Sequence, residues 1–304
     1  IQTNSDNSAP TTGTLDNAQG NIGIGKNALK SLTSGDYNLV LGGGASSTSG
    51  PGSKITSGHS NIILGKDSGE NIVTGYRNIA IGNDSLTGSH EIPINAGEYN
   101  ICIGEDSGSG LAGDCDGNIG IGGQNLIKTP VVHSGTAQAG NSTTITLATD
   151  ASSNNSEYSN HRIYISGGTG SDQKKSISSY NVTSKVLTIS GSWETAPDAT
   201  SQYKIFREQN SNVCIGNQSG KDNLGNYHIC IGSYSGMDMS NSSQYNTFIG
   251  MWSGGSGTIT GSRNVGIGPS SCENLTSGDF NTCLGFYSGQ QLTTGQSNSF
   301  IGYT

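Results

Sequence analysis

The chain has 304 residues, a formal net charge of -8, 48 Gly, 31% hydrophobic residues and only 12% charged residues. So weak a net charge argues against a self-repelling disordered coil, and an acidic chain without a Lys/Arg cluster excludes a nucleic-acid partner. No run of about 18 apolar residues occurs, so no helical membrane span is expected.

Residues 1–17 lack the basic and apolar stretches of a signal peptide and read as a lead-in. From residue 18 a pentapeptide recurs, Asn-h-x-h-Gly, with h apolar. In 18–126 it begins at Asn21, Asn38, Asn61, Asn78, Asn100 and Asn118. In 210–304 it resumes at Asn212, Asn246, Asn264, Asn281 and Asn298, with a variant at His228; the copies at Asn246, Asn281 and Asn298 carry Thr or Ser at the first h. The usual spacing is 16 to 18 residues, and two longer ones, 23 and 22, read as loop insertions. Ser-Gly follows the pentapeptide in many copies, and Gly-x-x-Asn closes the unit. Gly and Asn at fixed offsets supply the positive φ of tight turns. The expectation is an all-β parallel β-solenoid (β-roll) of about 12 coils, with stacked Asn side chains bonding from coil to coil.

Residues 127–209 break the repeat. Alternating runs at 143–147, 162–165, 174–177, 185–189 and 203–206 are separated by Gly, Asn and Asp turns. They predict an inserted small antiparallel β-barrel or sandwich, planted on the shaft as a knob for binding or docking.

Side chains alternate along a strand, so the two h positions share one face and x takes the other. The two h positions are expected to point into the coil. The x residues are Gly23, Val40, Ile63, Ala80, Cys102, Gly120, Cys214, Cys230, Phe248, Gly266, Cys283 and Phe300, none of them charged or hydrogen-bonding through an amide or hydroxyl. A second apolar face needs a partner, so these twelve are the expected oligomer interface. Aspartate at Val40, Cys214 or Phe248 is then expected to break assembly.

Chemistry-bearing residues are sparse. Four of six cysteines sit at x and read as small apolar fillers, and no Cys-x-x-Cys occurs, so free structural thiols are expected. The five histidines lack ligand spacing. Asp67, Glu105, Asp106, Asp114 and Asp116 are candidate glycan-cleaving carboxylates, and 114–117 faintly suggests a calcium loop, but solvated turns are the better reading. No cofactor, metal or enzymatic activity is expected. Tyr234, Trp252, Phe286 and Tyr287 follow core strands at outward turns; they are candidate sugar-stacking residues, with packing between coils as the competing role.

The units N-I-G-I-G-x-x-x-L-x-x-L-T-S-G-x-x-N resemble repeats of phage and virus tail-fibre proteins, and more loosely the heads of YadA-like trimeric autotransporter adhesins. The resemblance covers roughly 18–126 and 210–304. The segments 139–147, 166–170 and 193–203 are similar to a small β module of phage structural proteins. This resemblance implies a homotrimer and a virion-surface tail fibre or spike. Its partners would be a host glycan or protein and, at the chain ends, other virion proteins. Alternatives are a bacterial cell-surface adhesin head and a glycan-depolymerising tailspike.

Overall fold

The computed structural model describes residues 2–3, 18–88, 97–126, 131–154, 157–159, 161–240 and 242–303. Apart from 2–3, the expected lead-in over 1–17 lies outside the described residues. Two compact units emerge: Ile1–Lys128 with Gln209–Thr304, and Thr129–Glu208.

The first unit is a parallel β-solenoid. Its strands are β1 (Gln2–Thr3), β2 (Ile22–Ile24), β3 (Leu39–Leu41), β4 (Ile62–Leu64), β5 (Ile79–Ile81), β6 (Ile101–Ile103) and β7 (Ile119–Ile121), then β15 (Val213–Ile215), β16 (Ile229–Ile231), β17 (Thr247–Ile249), β18 (Val265–Ile267), β19 (Thr282–Leu284) and β20 (Ser299–Ile301). They form one 13-stranded parallel sheet in chain order, with β7 pairing directly to β15 across the insert. Each of the twelve pentapeptides supplies one three-residue strand, stacked x on x.

Three columns of turn chemistry hold the coils in register. The glycine ending each pentapeptide has φ between +119° and +143°, a region open only to glycine, and in every copy but the last, Gly302, a Cβ there would collide with the next coil's glycine. The Asn column is a buried amide ladder. Asn61 donates its backbone N–H (3.1 Å) and Nδ2 (3.0 Å) to Asn38 Oδ1, and its Nδ2 also donates to Gly75 O (2.9 Å). The ladder crosses the insertion, from Asn212 to Asn118 Oδ1 at 3.2 Å. His228 takes one rung, and its Nδ1 accepts the Asn246 N–H at 3.2 Å. The third column is the serine of Ser-Gly, whose buried hydroxyl donates to the x carbonyl one coil on, as from Ser219 to Cys230 O (2.7 Å) and Ser235 to Phe248 O (2.8 Å).

Removing a rung strands two buried donors above it. Asn78→Ala is expected to cost about 3 kcal/mol or more, since Asn100 N–H and Nδ2 both lose their acceptor. His228→Asn restores a second amide bond and should stabilise by about 1 kcal/mol. Urea midpoints of both variants check this.

The solenoid core inverts the expected faces. Val40, Ile63, Ala80, Cys102, Cys214, Cys230, Phe248 and Cys283 are fully buried within their own chain, and Gly23, Gly120 and Gly266 are buried with them. They pack against Leu29, Leu32, Ile55, Ile72, Leu86, Leu111, Met239 and Leu275 from the far side of the coil. Phe300 alone is exposed, in the last coil. The cause is the Ser-Gly turn, which folds back over x: a Cβ on Gly254 would lie 2.8 Å from the Phe248 ring, and one on Gly69 2.8 Å from Ile63 Cδ1. The coil's interior is therefore one side chain wide at the strand. That width selects small residues, and the large Phe248 is followed one coil on by Gly266. The larger h residues point outward.

The cysteine expectation is corrected too. Cys272 and Cys283 form a disulfide inside the coil, leaving Cys102, Cys115, Cys214 and Cys230 as buried free thiols.

The second unit is a seven-stranded antiparallel sheet. It contains β8 (Val131–Thr136), β9 (Ala139–Gly140), β10 (Thr144–Thr146), β11 (Arg162–Gly167), β12 (Lys174–Asn181), β13 (Val186–Ile189) and β14 (Gln202–Phe206), in the order β8-β14-β11-β12-β13-β10-β9. All five expected runs are strands; β8 and β9 are additional. β12 changes partner between Ser176 and Ile177, just before a register shift between Ile177 and Ser179. Its first part pairs with β11 and the rest with β13. Both parts of the sheet contribute to one core, which includes Ile145, Tyr158, Ile163, Leu187, Trp193 and Tyr203. The insert is thus an antiparallel β unit, as expected, with β8 and β9 at its edges.

Candidate functional site

With x turned inward, the outer face of the solenoid sheet consists of the two h positions of every strand. Twenty-one of these 24 positions are Ile, Leu or Val; the exceptions are Thr247, Thr282 and Ser299. They form two apolar files along the sheet, half-buried or exposed, with Ile24 51%, Ile229 39% and Ile267 41% accessible.

Columns of turn residues flank the files. On the leading edge, just before each Asn, stand Tyr37, Arg77, Tyr99, Tyr227, Tyr245, Arg263 and Phe280, all with φ near +60°. Here neighbouring coils stack ring on ring or guanidinium on ring. Tyr227 and Tyr245 lie 5.0 Å apart at 5°, and Arg263 sits 5.5 Å from the Tyr245 centroid and 5.4 Å from that of Phe280. Arg77 packs 5.4 Å over Tyr99 and hydrogen-bonds its hydroxyl. The trailing edge, just after each strand's glycine, changes character along the sheet. It carries Lys66, Asp67, Asp84, Glu105 and Asp106 in the first half, then Tyr234, Met251, Trp252, Phe286, Tyr287 and Tyr303 in the second. Burial, then Asp84 and Glu105, push the Asp106 carboxyl above the usual carboxylate range.

The four residues weighed as sugar-stacking candidates all lie on this trailing edge. Tyr234 and Trp252 stack on each other, 4.5 Å apart at 7°. Phe286 meets Tyr287 edge-on at 4.1 Å and stacks on Tyr303 at 5.7 Å. Tyr234, Trp252 and Phe286 thus each stack on a ring of a neighbouring coil, and Tyr287 packs on Phe286 within its own coil. Sequence reasoning missed the leading-edge aromatics, although five of the twelve residues preceding the repeat Asn (or His228) are Tyr or Phe.

The acidic residues take turn roles. Asp67 accepts the Ala45 N–H at 3.2 Å and pairs with Lys66 at 3.0 Å, and Asp116 accepts the Glu98 N–H at 2.9 Å. Among the described residues no group of three or more His, Cys, Asp or Glu is placed to hold a metal ion, and no helix is long and apolar enough to cross a membrane. Burial pushes the Cys102 thiol up to about 12, and the Cys230 thiol is raised by its contact with Cys214 and by burial. A thiol so raised and covered is a poor nucleophile. The native protein should therefore resist a thiol reagent, release four reactive thiols on denaturation and six after reduction, read by absorbance or mass.

One feature unifies the exposed apolar residues. Sixteen large hydrophobic residues among the described ones are exposed, and all sixteen lie on the sheet strands or within two residues of them. Apart from Phe300, an x residue of the last coil, all belong to the outer face or its two edges, and none lies in the second unit. No protein-family model, no curated protein and no solved structure matches the chain.

Proposed function

We propose that the protein is a structural and adhesive fibre of a virus or phage particle, in which three copies associate through the outer sheet face and present their surfaces to a host. The observation that carries this reading is the confinement of the exposed large hydrophobic residues described to that face and its two flanking edges, with Phe300 of the last coil as the one exception. Twelve rungs at about 4.8 Å give a face about 50 Å long, and six Cα steps across give roughly 15–20 Å of width. An area on the order of 800 Å² follows, the share that each partner contributes to a stable interface. Soluble monomers rarely leave so large an apolar patch uncovered. Three copies around one axis raise the avidity of weak host contacts. Resemblance of the repeat to tail-fibre units supplies the particle and the number three.

Solution mass by light scattering after size exclusion tests the reading. A trimer has about 93 kDa, three times the 31.1 kDa chain. A monomer at high concentration would overturn the shared-face reading, and a dimer would overturn the trimer. A trimer that binds no host cell or surface glycan would leave a shaft without the adhesive role.

A further inference from the structure

The two edge columns differ in a way that matters only if a neighbouring chain lies beside each of them. On rung β5 the leading edge presents exposed Arg77. The trailing edge of that rung presents Asp84, and the rung above adds Glu105 and Asp106. Rungs β16 and β17 instead present Tyr227 and Tyr245 on the leading edge, 45% and 48% accessible, with Tyr234, Met251 and Trp252 on the trailing edge. On β19, Phe280 (56% accessible) leads and Phe286 (41%) trails. On these four rungs cation stands level with anion and aromatic with aromatic; Tyr37, Tyr99 and Arg263 on other rungs have no such counterpart.

We propose that neighbouring copies of this chain close edge to edge: the leading-edge column of one packs on the trailing-edge column of the next, rung against equal rung. The inference rests on the self-association reading above. Rotation about an axis parallel to the coil stack keeps every rung at its own height. When the outer faces turn toward that axis, the start of each strand meets the end of its neighbour's. Such contacts are heterologous, so two different surfaces must complement each other. Arg77 of one copy then faces Asp84 and the Asp106–Glu105 pair of the next, neutralising carboxylates crowded in the single chain. The Tyr227–Tyr245 stack faces the Tyr234–Trp252 stack, burying the ring edges that coil-to-coil stacking leaves open. Charge thus sets direction and register at one part of the shaft, and aromatic contact supplies area at another. The positions weighed for sugar stacking become contacts between chains.

Charge reversal and cross-linking test this on the full chain. Arg77→Glu should weaken self-association about tenfold at low salt, and adding Asp84→Arg to the same chain should restore it, both read by light scattering on dilution. In the double variant Tyr245→Cys/Trp252→Cys, the two thiols lie at opposite ends of one extended strand, roughly 20 Å apart. A short bis-maleimide cannot join them within a chain, yet should link chains into a closed covalent oligomer on a denaturing gel. Circular dichroism confirms that the variants fold. A wild-type oligomer that ignores Arg77→Glu and yields no cross-linked species overturns edge-to-edge closure while leaving the shared face standing. A wild-type monomer overturns both.

Discussion

On the proposed association, aspartate at Ile229 and Ile267 is expected to leave folded monomers, while aspartate at Cys214 or Phe248 is expected to unfold the coils around it. The four positions lie within the same run of strands and differ in which way their side chains point. Ile229 and Ile267 are 39% and 41% accessible in the single chain, so a carboxylate there keeps its water and costs the isolated fold little. In the assembled face it would bring like charges together around one axis and desolvate them, and association should fall by a hundredfold or more, about 3 kcal/mol. Cys214 and Phe248 are fully buried beneath their own Ser-Gly turns. A carboxylate there has neither a cation nor water, a loss of several kcal/mol concentrated on a few coils. Light scattering and circular dichroism on the same samples separate the outcomes. A folded monomeric Cys214→Asp protein would return the interface to the x column.

The second large effect concerns the glycine ending each pentapeptide. Gly82→Ala should destabilise the solenoid by about 3 kcal/mol or more, and Gly302→Ala by distinctly less. Both glycines have strongly positive φ, +130° and +124°, so both substitutions carry the same backbone strain. At Gly82 a Cβ would also lie 2.6 Å from Gly104 O, whereas at Gly302 it meets nothing within 4 Å. The difference between the two variants in denaturant midpoint measures the steric part alone. Equal losses would show that the close stacking of the glycine column contributes nothing.

These effects bear on what the sequence makes legible. The recurrence of Asn-h-x-h-Gly identifies the strand, the coil length and the break near residue 127, because turn residues demand fixed offsets. The buried amide ladder follows from the same recurrence. Alternation also separates h from x correctly, but it cannot say which of two apolar faces looks inward. That choice depends on the Ser-Gly turn folding over Cys214 or Phe248, and a turn's path is not written in the strand. The disulfide between Cys272 and Cys283 escapes for a related reason: Cys272 enters the coil from a turn, at φ +49°, outside the strand register that placed the other cysteines. In the second unit, β8 carries His133, Ser134 and Gly135 without clear alternation, and β9 is two residues long, so neither offers a periodic signal. The outer face itself was visible as Ile and Leu, and only its assignment to solvent required coordinates.

The strictly sequential pairing of the solenoid strands has a mechanical consequence. Each rung strand contacts only the rungs before and after it, so tension applied to the two ends of the stack passes in series through every rung-to-rung contact and none relieves another. The coils should peel one at a time, each releasing roughly 55 Å of chain, while those behind keep their glycine, amide and serine columns intact. Cys272 and Cys283, 11 residues apart in sequence, remove that segment from the extensible length of their coil. A coil stack built this way absorbs work in repeated steps of similar size, lengthening under load instead of failing at once.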